Sequence, residues 1–236
     1  MPLCSHGSSD TGCVRQHNED RILCDDRLGL YVVSDGIGGR RHGDVAAQIV
    51  TDTIRQNIES STGEGPGAAS KRLLAAVKAA NRGVWHRSGE SLQFLGMGAT
   101  VAAVLVEGTA AVAANIGDSR VYFLRNGRLE CLSVDDSASM HVPGLDGQPA
   151  SVRTMLTRSA GSGPDVEVHL KQVELFQGDL LLLCSDGLHG YLTEDRIAAL
   201  IGSSEPIPAR TEALIAATRA AGAPDNVSAV LVQYLP

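Results

Sequence analysis

Apolar and polar positions change period several times along the 236-residue chain, and each change marks an element. Arg21 to Cys24 and Leu30 to Ser34 read as two short strands joined by the polar turn Asp25-Asp26-Arg27. From about Asp44 to Ser60, Ala46, Val50, Ile54 and Ile58 recur every four residues, which predicts a helix with one buried face. A Gly/Ser/Pro-rich break at Ser61 to Gly67 precedes a second amphipathic helix carrying Leu73, Leu74, Val77, Ala80, Val84 and Trp85. Thr100 to Val106 and Thr109 to Ile116 are almost wholly apolar, as expected of central strands covered on both faces. Val121 to Leu124 and Leu129 to Leu132 flank Asn126-Gly127, a tight-hairpin signal because both central positions need positive φ. Val166 to Leu175 alternates, and Gly178-Asp179 turns it into the apolar strand Leu180 to Cys184. Thr193 is the expected N-cap of a helix through Ile197, Leu200 and Ile201; Ala209 to Ala221 forms another, and Asn226 to Leu235 closes as a strand.

Helices thus come in pairs between runs of strands, the α+β pattern in which helices cover sheets. With no internal repeat, low-complexity tract or long linker, a single domain over residues 1–236 is expected. Ser133 to Thr157 departs from this regularity. It holds Asp135, Asp136, His141, Pro143, Gly144, Asp146, Gly147 and Pro149 without sustained periodicity and reads as a surface loop or flap.

Composition narrows the class. Hydrophobic content of 43% suffices for a core, and with 3% aromatic residues that core must be built from Ala, Val, Leu and Ile. A formal net charge of -7 argues against nucleic-acid or anionic-membrane surfaces, which need clustered Lys and Arg. Five cysteines without C-x-x-C spacing indicate neither a disulfide framework nor a zinc knuckle, and Cys184 reads as a small core residue. No basic stretch leads into an apolar one at the N-terminus, and no apolar run approaches 18 residues. A soluble, cytoplasmic protein without a signal peptide is expected.

Four aspartates carry the candidate chemistry: Asp35 in Val33-Ser34-Asp35-Gly36, Asp118 in Ile116-Gly117-Asp118-Ser119, Asp186 in Cys184-Ser185-Asp186-Gly187, and Asp225 in Pro224-Asp225-Asn226. Any one Asp-Gly after a strand is explained by turn chemistry. Four of them at the ends of apolar segments, with the acidic cluster Arg15-Gln16-His17-Asn18-Glu19-Asp20, point to carboxylates converging near a core. Such groups repel one another and lose hydration, so they take up protons or gather cations. Oxygen ligands alone select a hard cation: magnesium, manganese or calcium.

The motif order R-x-x-N-E-D (Arg15 to Asp20), S-D-G-x-G-G (Ser34 to Gly39), G-x-G-x-T (Gly96 to Thr100), G-D-S-R (Gly117 to Arg120), L-T-R (Leu156 to Arg158), S-D-G-L (Ser185 to Leu188) and D-N (Asp225-Asn226) resembles the metal-dependent serine/threonine phosphatases, type 2C, in their compact bacterial form. The resemblance runs from about Thr11 to Leu235. It implies an α-β-β-α sandwich of two antiparallel sheets flanked by helices, with metals at one end. It also implies that Asp35 bridges two Mn2+ or Mg2+ ions and the Gly36 carbonyl binds one. Asp186 and Asp225 would hold the second ion, Glu19 and Asp20 would bind directly or through waters, and Asp118 with Asp186 would form a third, weaker site. Two such ions lower the pKa of a shared water from 15.7 toward roughly 7, making it the nucleophile toward phosphoserine and phosphothreonine. Implied partners are phosphorylated proteins and a cognate serine/threonine kinase with its substrates, the phosphatase itself acting as a monomer in bacterial signalling.

Arg15 is the natural phosphate clamp, since guanidinium matches phosphate oxygens and stays charged; the bland alternative is an ion pair with Glu19. Asn226 reads as the residue that orients the Asp225 turn. Two departures from the family pattern stand out. Ile37 occupies the position of a histidine found in many eukaryotic members, and Asp136 stands where many bacterial members carry His. A dinucleotide-binding turn at Gly36-Ile37-Gly38-Gly39 fails its spacing because Arg41 takes the last glycine position. The competing function is a catalytically weak, phosphatase-like module that binds phosphoproteins; loss of metal carboxylates would be its signature, and Asp35, Asp186 and Asp225 are all present.

Overall fold

The computed structural model of the protein describes residues 3–37, 42–62, 65, 67–142 and 151–235, the side chains of 141–142 and 151–153 excepted. The chain opens with strands β1 (Leu3–Asp10), β2 (Arg21–Asp25), β3 (Leu30–Ser34) and the short β4 (Gly36–Ile37), followed by helices α1 (Gly43–Ser60) and α2 (Ala68–Gly89). Next come β5 (Gly98–Ala99), β6 (Val101–Glu107), β7 (Ala110–Ile116), β8 (Arg120–Arg125), β9 (Arg128–Cys131), β10 (Ser137–Val142), β11 (Ser151–Leu156), β12 (His169–Glu174) and β13 (Leu180–Cys184). The remaining elements are α3 (Asp186–His189), α4 (Glu194–Ile201), α5 (Ile207–Ala220) and β14 (Val227–Tyr234).

Two five-stranded antiparallel sheets form, in the orders β1-β14-β13-β8-β9 and β12-β7-β6-β3-β2. The apolar runs explain themselves by alternation, because successive side chains of a strand point to opposite faces. In β3, Tyr31 and Val33 enter the layer between the sheets, while Leu30 and Val32 pack with α1 and α2 residues such as Val50, Ile54 and Leu73. In β13, Leu181 and Leu183 enter that same middle layer, while Leu182 and Cys184 face Ile197, Ile201 and Leu214 of α4 and α5. Every central strand is therefore buried on both sides, and the architecture is the four-layer α-β-β-α sandwich that the motif resemblance implied.

Local expectations meet the structure at several points. Asn126 and Gly127 both have positive φ, 52° and 76°, and join β8 to β9. Thr193 caps α4 by accepting from the Arg196 N–H at 3.3 Å. Three elements differ from expectation. β1, polar and glycine-containing, carries no readable period; it is an edge strand formed by pairing with β14 from Leu3↔Tyr234 to Asp10↔Val227. Ser133–Thr157, expected as an irregular loop, contains the paired strands β10 and β11, whose connection at 143–150 lies outside the described residues. Trp85 is 39% exposed: its neighbour Val84 holds the buried face, and one helical step turns Trp85 about 100° away.

The topology also places the candidate turns. β3 and β7 both run antiparallel to β6 between them, so their C-terminal ends, Asp35 and Gly117-Asp118, lie together. β13 and β14 are antiparallel neighbours, so the C-terminal end of one lies beside the N-terminal end of the other, joining Asp186 to Asp225.

Candidate active site

At that shared end a cavity of about 460 Å³ opens, lined by Arg15, Glu19, Asp35, Gly36, Asp118, Asp186, Asp225 and Asn226 together with Ile37, Thr154, Met155, Leu156 and Ser159. Seven of the eight candidate site residues thus come together; the eighth, Asp20, is 3% exposed beneath them. His17 and His42 do not line the cavity, and Gly38 to Arg41 lie outside the described residues.

Hydroxyl groups at the strand ends hold the carboxylates in place. Asp35 N–H donates to Thr100 Oγ1 at 2.9 Å, and its carbonyl accepts from Thr100 N–H at 2.8 Å. Thr100 Oγ1 in turn lies 2.6 Å from Ser119 Oγ, beside Asp118. Asp20 Oδ2 accepts from Ser185 Oγ at 2.9 Å and Ser228 Oγ at 2.6 Å. Ser228 Oγ contacts Ser9 Oγ at 2.8 Å, which accepts from Asn18 Nδ2 at 2.7 Å, while Asn18 Oδ1 accepts the Asp20 N–H. Because Ser228 donates to the carboxylate, the whole chain of bonds from Asn18 points toward Asp20. Asn226 ties the acidic N-terminal segment to the Asp225 turn: Oδ1 accepts from Glu19 N–H at 2.9 Å and Nδ2 donates to the Thr11 and His17 carbonyls at 3.0 Å each.

Gly36 is required by packing. A Cβ built there would lie 2.2 Å from the Gly43 carbonyl oxygen and 2.8 Å from that of Glu19, so no side chain fits between β4 and the start of α1.

The electrostatics are those of crowded acids. Burial, then the charges of Asp20, Asp186, Asp225 and Asp118, hold the Asp35 pKa well above the ordinary carboxylate value. Burial pushes Asp20 up to about 6 against the pull of the Ser228 and Ser185 hydroxyls. Burial followed by Asp186 pushes Asp118 up to about 6. Asp186 is raised by burial and by Asp225, and Glu19 by burial and Asp44. Two buried oxygens, Asp20 Oδ1 and Asp186 Oδ1, have no hydrogen-bond partner among the described residues. A buried acceptor left unsatisfied is costly, and a charged one more so.

Among the described residues, no three acidic, histidine or cysteine groups are already drawn in around one point as ligands of a single ion. The donor set nonetheless fits hard divalent cations: it is all oxygen, strongly negative, and includes two orphaned acceptors, one on Asp186 in the cavity lining and one on Asp20 buried beside it. Mg2+ and its like keep several waters, so the carboxylates need not all touch the ion. Arg15 bonds Asp225 Oδ2 through Nη2 at 2.7 Å, where an ion pair with Glu19 was the bland expectation. The guanidinium therefore stands at the cavity wall, held by the Asp225 carboxylate.

The protein phosphatase 2C profile matches residues 13–235, nearly the whole chain. The chain belongs to that family. It is 29% identical over 238 residues to the serine/threonine phosphatase stp of Listeria monocytogenes, covering 95% of this chain and 93% of that protein. It is 31% identical to the serine/threonine protein phosphatase PstP of Mycobacterium tuberculosis over 96% of this chain but 44% of PstP. The catalytic domain of PstP in complex with two manganese ions superposes with a TM-score of 0.83 at 30% identity over 99% of both chains.

Several residues that shape the site in this family member gave no signal of their own. Ser9 and Ser228 are ordinary small polar residues in strands, and only the fold brings them to the carboxylates. His189 Nε2 lies 2.8 Å from the Asp118 carbonyl, and burial followed by the nearby Arg120 lowers its pKa, keeping it neutral as a donor. Asp136, 7% exposed, does not reach the cavity; it accepts from Gly117 N–H at 3.0 Å and Arg158 Nη1 at 2.5 Å and lies 3.0 Å from His169 Nε2, tying the base of the hairpin to the Asp118 turn.

Proposed function

We propose that the chain is one phosphatase domain that hydrolyses phosphoserine and phosphothreonine in proteins. The observation that carries this is the pair of orphaned buried oxygens, Asp186 Oδ1 in the wall of a cavity of mutually repelling carboxylates beside a surface arginine and Asp20 Oδ1 buried beneath it. Bound divalent cations, Mn2+ or Mg2+, would neutralise the carboxylates and bring the pKa of a shared water toward roughly 7. Asp35, anchored at both its N–H and C=O by Thr100, is the residue suited to bridge two ions, and the Gly36 carbonyl suits one of them. Asp186 and Asp225 would hold the second ion, Glu19 and Asp20 would act directly or through water, and Asp118 with Asp186 would supply a third, weaker position.

Arg15 captures the substrate in this reading. Its partner Asp225 is one of the residues that would hold an ion, and with that carboxylate so engaged the guanidinium would be free for phosphate oxygens, which it matches with parallel hydrogen bonds. Ile37 presents an apolar surface to the cavity and cannot donate a proton to the leaving oxygen. The hairpin of β10 and β11 acts as a flap over the site. A cytoplasmic, monomeric enzyme opposing a cognate serine/threonine kinase in signalling is consistent with this chemistry; among the described residues no helix is long and apolar enough to cross a membrane.

Hydrolysis of p-nitrophenyl phosphate and of a phosphothreonine peptide, each with Mn2+ and with chelator, tests the proposal. Metal-dependent release of phosphate from both is expected. Absence of release at millimolar Mn2+ from a folded protein would leave the binding-module alternative in its place.

A further inference from the structure

The β10–β11 hairpin gives three consecutive residues, Thr154, Met155 and Leu156, to the wall of the carboxylate cavity. Successive side chains of a strand point to opposite faces, so a cavity met by three in a row is met by the strand's edge and not by one of its faces. One edge of β11 is already paired, from Ser151↔Val142 to Leu156↔Ser137, with β10. No described side chain of β10 lines the cavity, so the edge turned toward it is the other one. Among the described residues no strand pairs that edge, since β10 and β11 form a two-stranded sheet by themselves. A free edge presents unpaired N–H and C=O groups that another chain can pair. Here it shares a cavity with Arg15, Asp35, Asp118 and Asp186.

We propose that a phosphoprotein substrate docks by pairing the extended segment beside its phosphorylated residue with the free edge of β11, as a third strand of the hairpin sheet. The inference rests on the phosphatase function proposed above and adds to it how the polypeptide, as distinct from the phosphate, is held. Strand addition draws affinity from backbone hydrogen bonds, which every sequence can make, and selectivity from pockets for alternate side chains. The surroundings of this edge are permissive. Met155, opposite Ala138, and Met140, two residues further along β10, share one face of the hairpin and are 52% and 47% exposed. Methionine is flexible and polarizable and adapts to many apolar neighbours. Recognition should therefore follow backbone conformation more than sequence.

The test is a set of steady-state measurements with Mn2+ on a phosphothreonine peptide, on versions methylated at one flanking backbone nitrogen at a time, on versions with one flanking residue changed to alanine, and on p-nitrophenyl phosphate. Methylation at every second position on one side of the phosphothreonine should raise KM about tenfold, the loss of one edge hydrogen bond together with the clash of the methyl group. Methylation at the intervening positions and alanine substitution should each change KM by less than about threefold, and p-nitrophenyl phosphate is turned over throughout. Methylation that is silent everywhere, or equally harmful everywhere, overturns strand pairing. Alanine substitutions that outweigh methylation overturn it in favour of side-chain recognition. If p-nitrophenyl phosphate is hydrolysed in either of these cases, the phosphatase function stands and only the docking mode falls; if neither substrate is hydrolysed, both fall together.

Discussion

The two ends of β13 carry aspartates in opposite conditions. Asp179, just before the strand, is 3% exposed, yet every oxygen is satisfied: Oδ1 accepts from Arg125 Nε at 2.9 Å, and Oδ2 from Arg125 Nη2 at 2.6 Å and Phe176 N–H at 2.7 Å. Arg125 is in turn stacked between the rings of Phe123 and Phe176, 4.8 and 4.6 Å from their centroids. Asp186, just after the strand, has a buried oxygen with no partner, and burial together with the charge of Asp225 raises its pKa. Both stand beside a glycine, Gly178 in one case and Gly187 in the other. A buried carboxylate whose acceptors are all met is part of the scaffold. One whose acceptors are left open is a place for a cation, since leaving a charge buried and unpaired costs several kcal/mol.

The strongest way to break this comparison is Asp35→Asn at the acidic end. A neutral amide cannot hold two dications, so turnover of p-nitrophenyl phosphate should fall on the order of 10³-fold or more, with the melting temperature in chelator unchanged or raised. Undiminished Mn2+-dependent turnover would remove the central role of Asp35.

At the other end of β13 the consequences should be reversed. Asp179→Asn breaks an ion pair with a partly exposed arginine and should lower the unfolding free energy by about 2–3 kcal/mol, somewhat less than the loss of a fully buried pair. Turnover of the folded fraction should stay within about twofold of the parent. Denaturant unfolding and kinetics on the same samples separate the two effects; lost turnover in fully folded protein would show that the two ends are not independent.

Proton linkage sharpens the contrast without any substitution. At the acidic end Asp20, Asp35, Asp118 and Asp186 have folded-state pKa values above those of the unfolded chain, so the folded protein holds protons that the unfolded chain has released. Their contribution to stability is fully present below pH about 4 and is lost as pH rises through about 6 and beyond. In chelator the protein should therefore melt several degrees higher at pH 5.5 than at pH 7.5. Saturating Mn2+ should abolish or invert that trend, because metal binds the deprotonated groups. A melting temperature in chelator that rises with pH would show that the carboxylates are not mutually destabilising.

The smallest expected effect concerns the residue that borders the acidic end. Arg15→Ala should raise KM for a phosphopeptide about tenfold, the weight of one charge-assisted contact, with kcat little changed. Mn2+ affinity should hold or improve, since Asp225 loses its competing partner. A variant whose chief defect is weaker Mn2+ binding would make Arg15 a support for the metal carboxylates instead of a phosphate clamp.

Much of the fold was legible because central strands buried on both faces must be apolar throughout and amphipathic helices must repeat near 3.6 residues. Ala46, Val50, Ile54 and Ile58 mark α1 in this way, and all four are buried. The acidic turns were equally legible, since each follows or precedes such a strand. β1 was not, because Leu3–Asp10 is ordered by its partner β14 and not by its own side chains. The strands of the hairpin carry no readable period for a similar reason: among the described residues Ser137–Val142 and Ser151–Leu156 pair only with each other, and the described side chains, such as Met140 and Met155, are largely exposed, so no alternation was imposed on them.

What the sequence determined alone is what local chemistry determines: the period of each element, the positive-φ turn at Asn126-Gly127, and the set of carboxylates in motif order. The tertiary structure decided which aspartates are satisfied and which are not, that Arg15 pairs with Asp225, and that β11 brings Thr154, Met155 and Leu156 to the cavity. These outcomes depend on neighbours far away along the chain. Ser228 donates to Asp20 from 208 residues away, and Arg125 reaches Asp179 across 54. No pattern within a single segment records such distances, because burial and charge compensation are set by whatever the completed sandwich brings alongside.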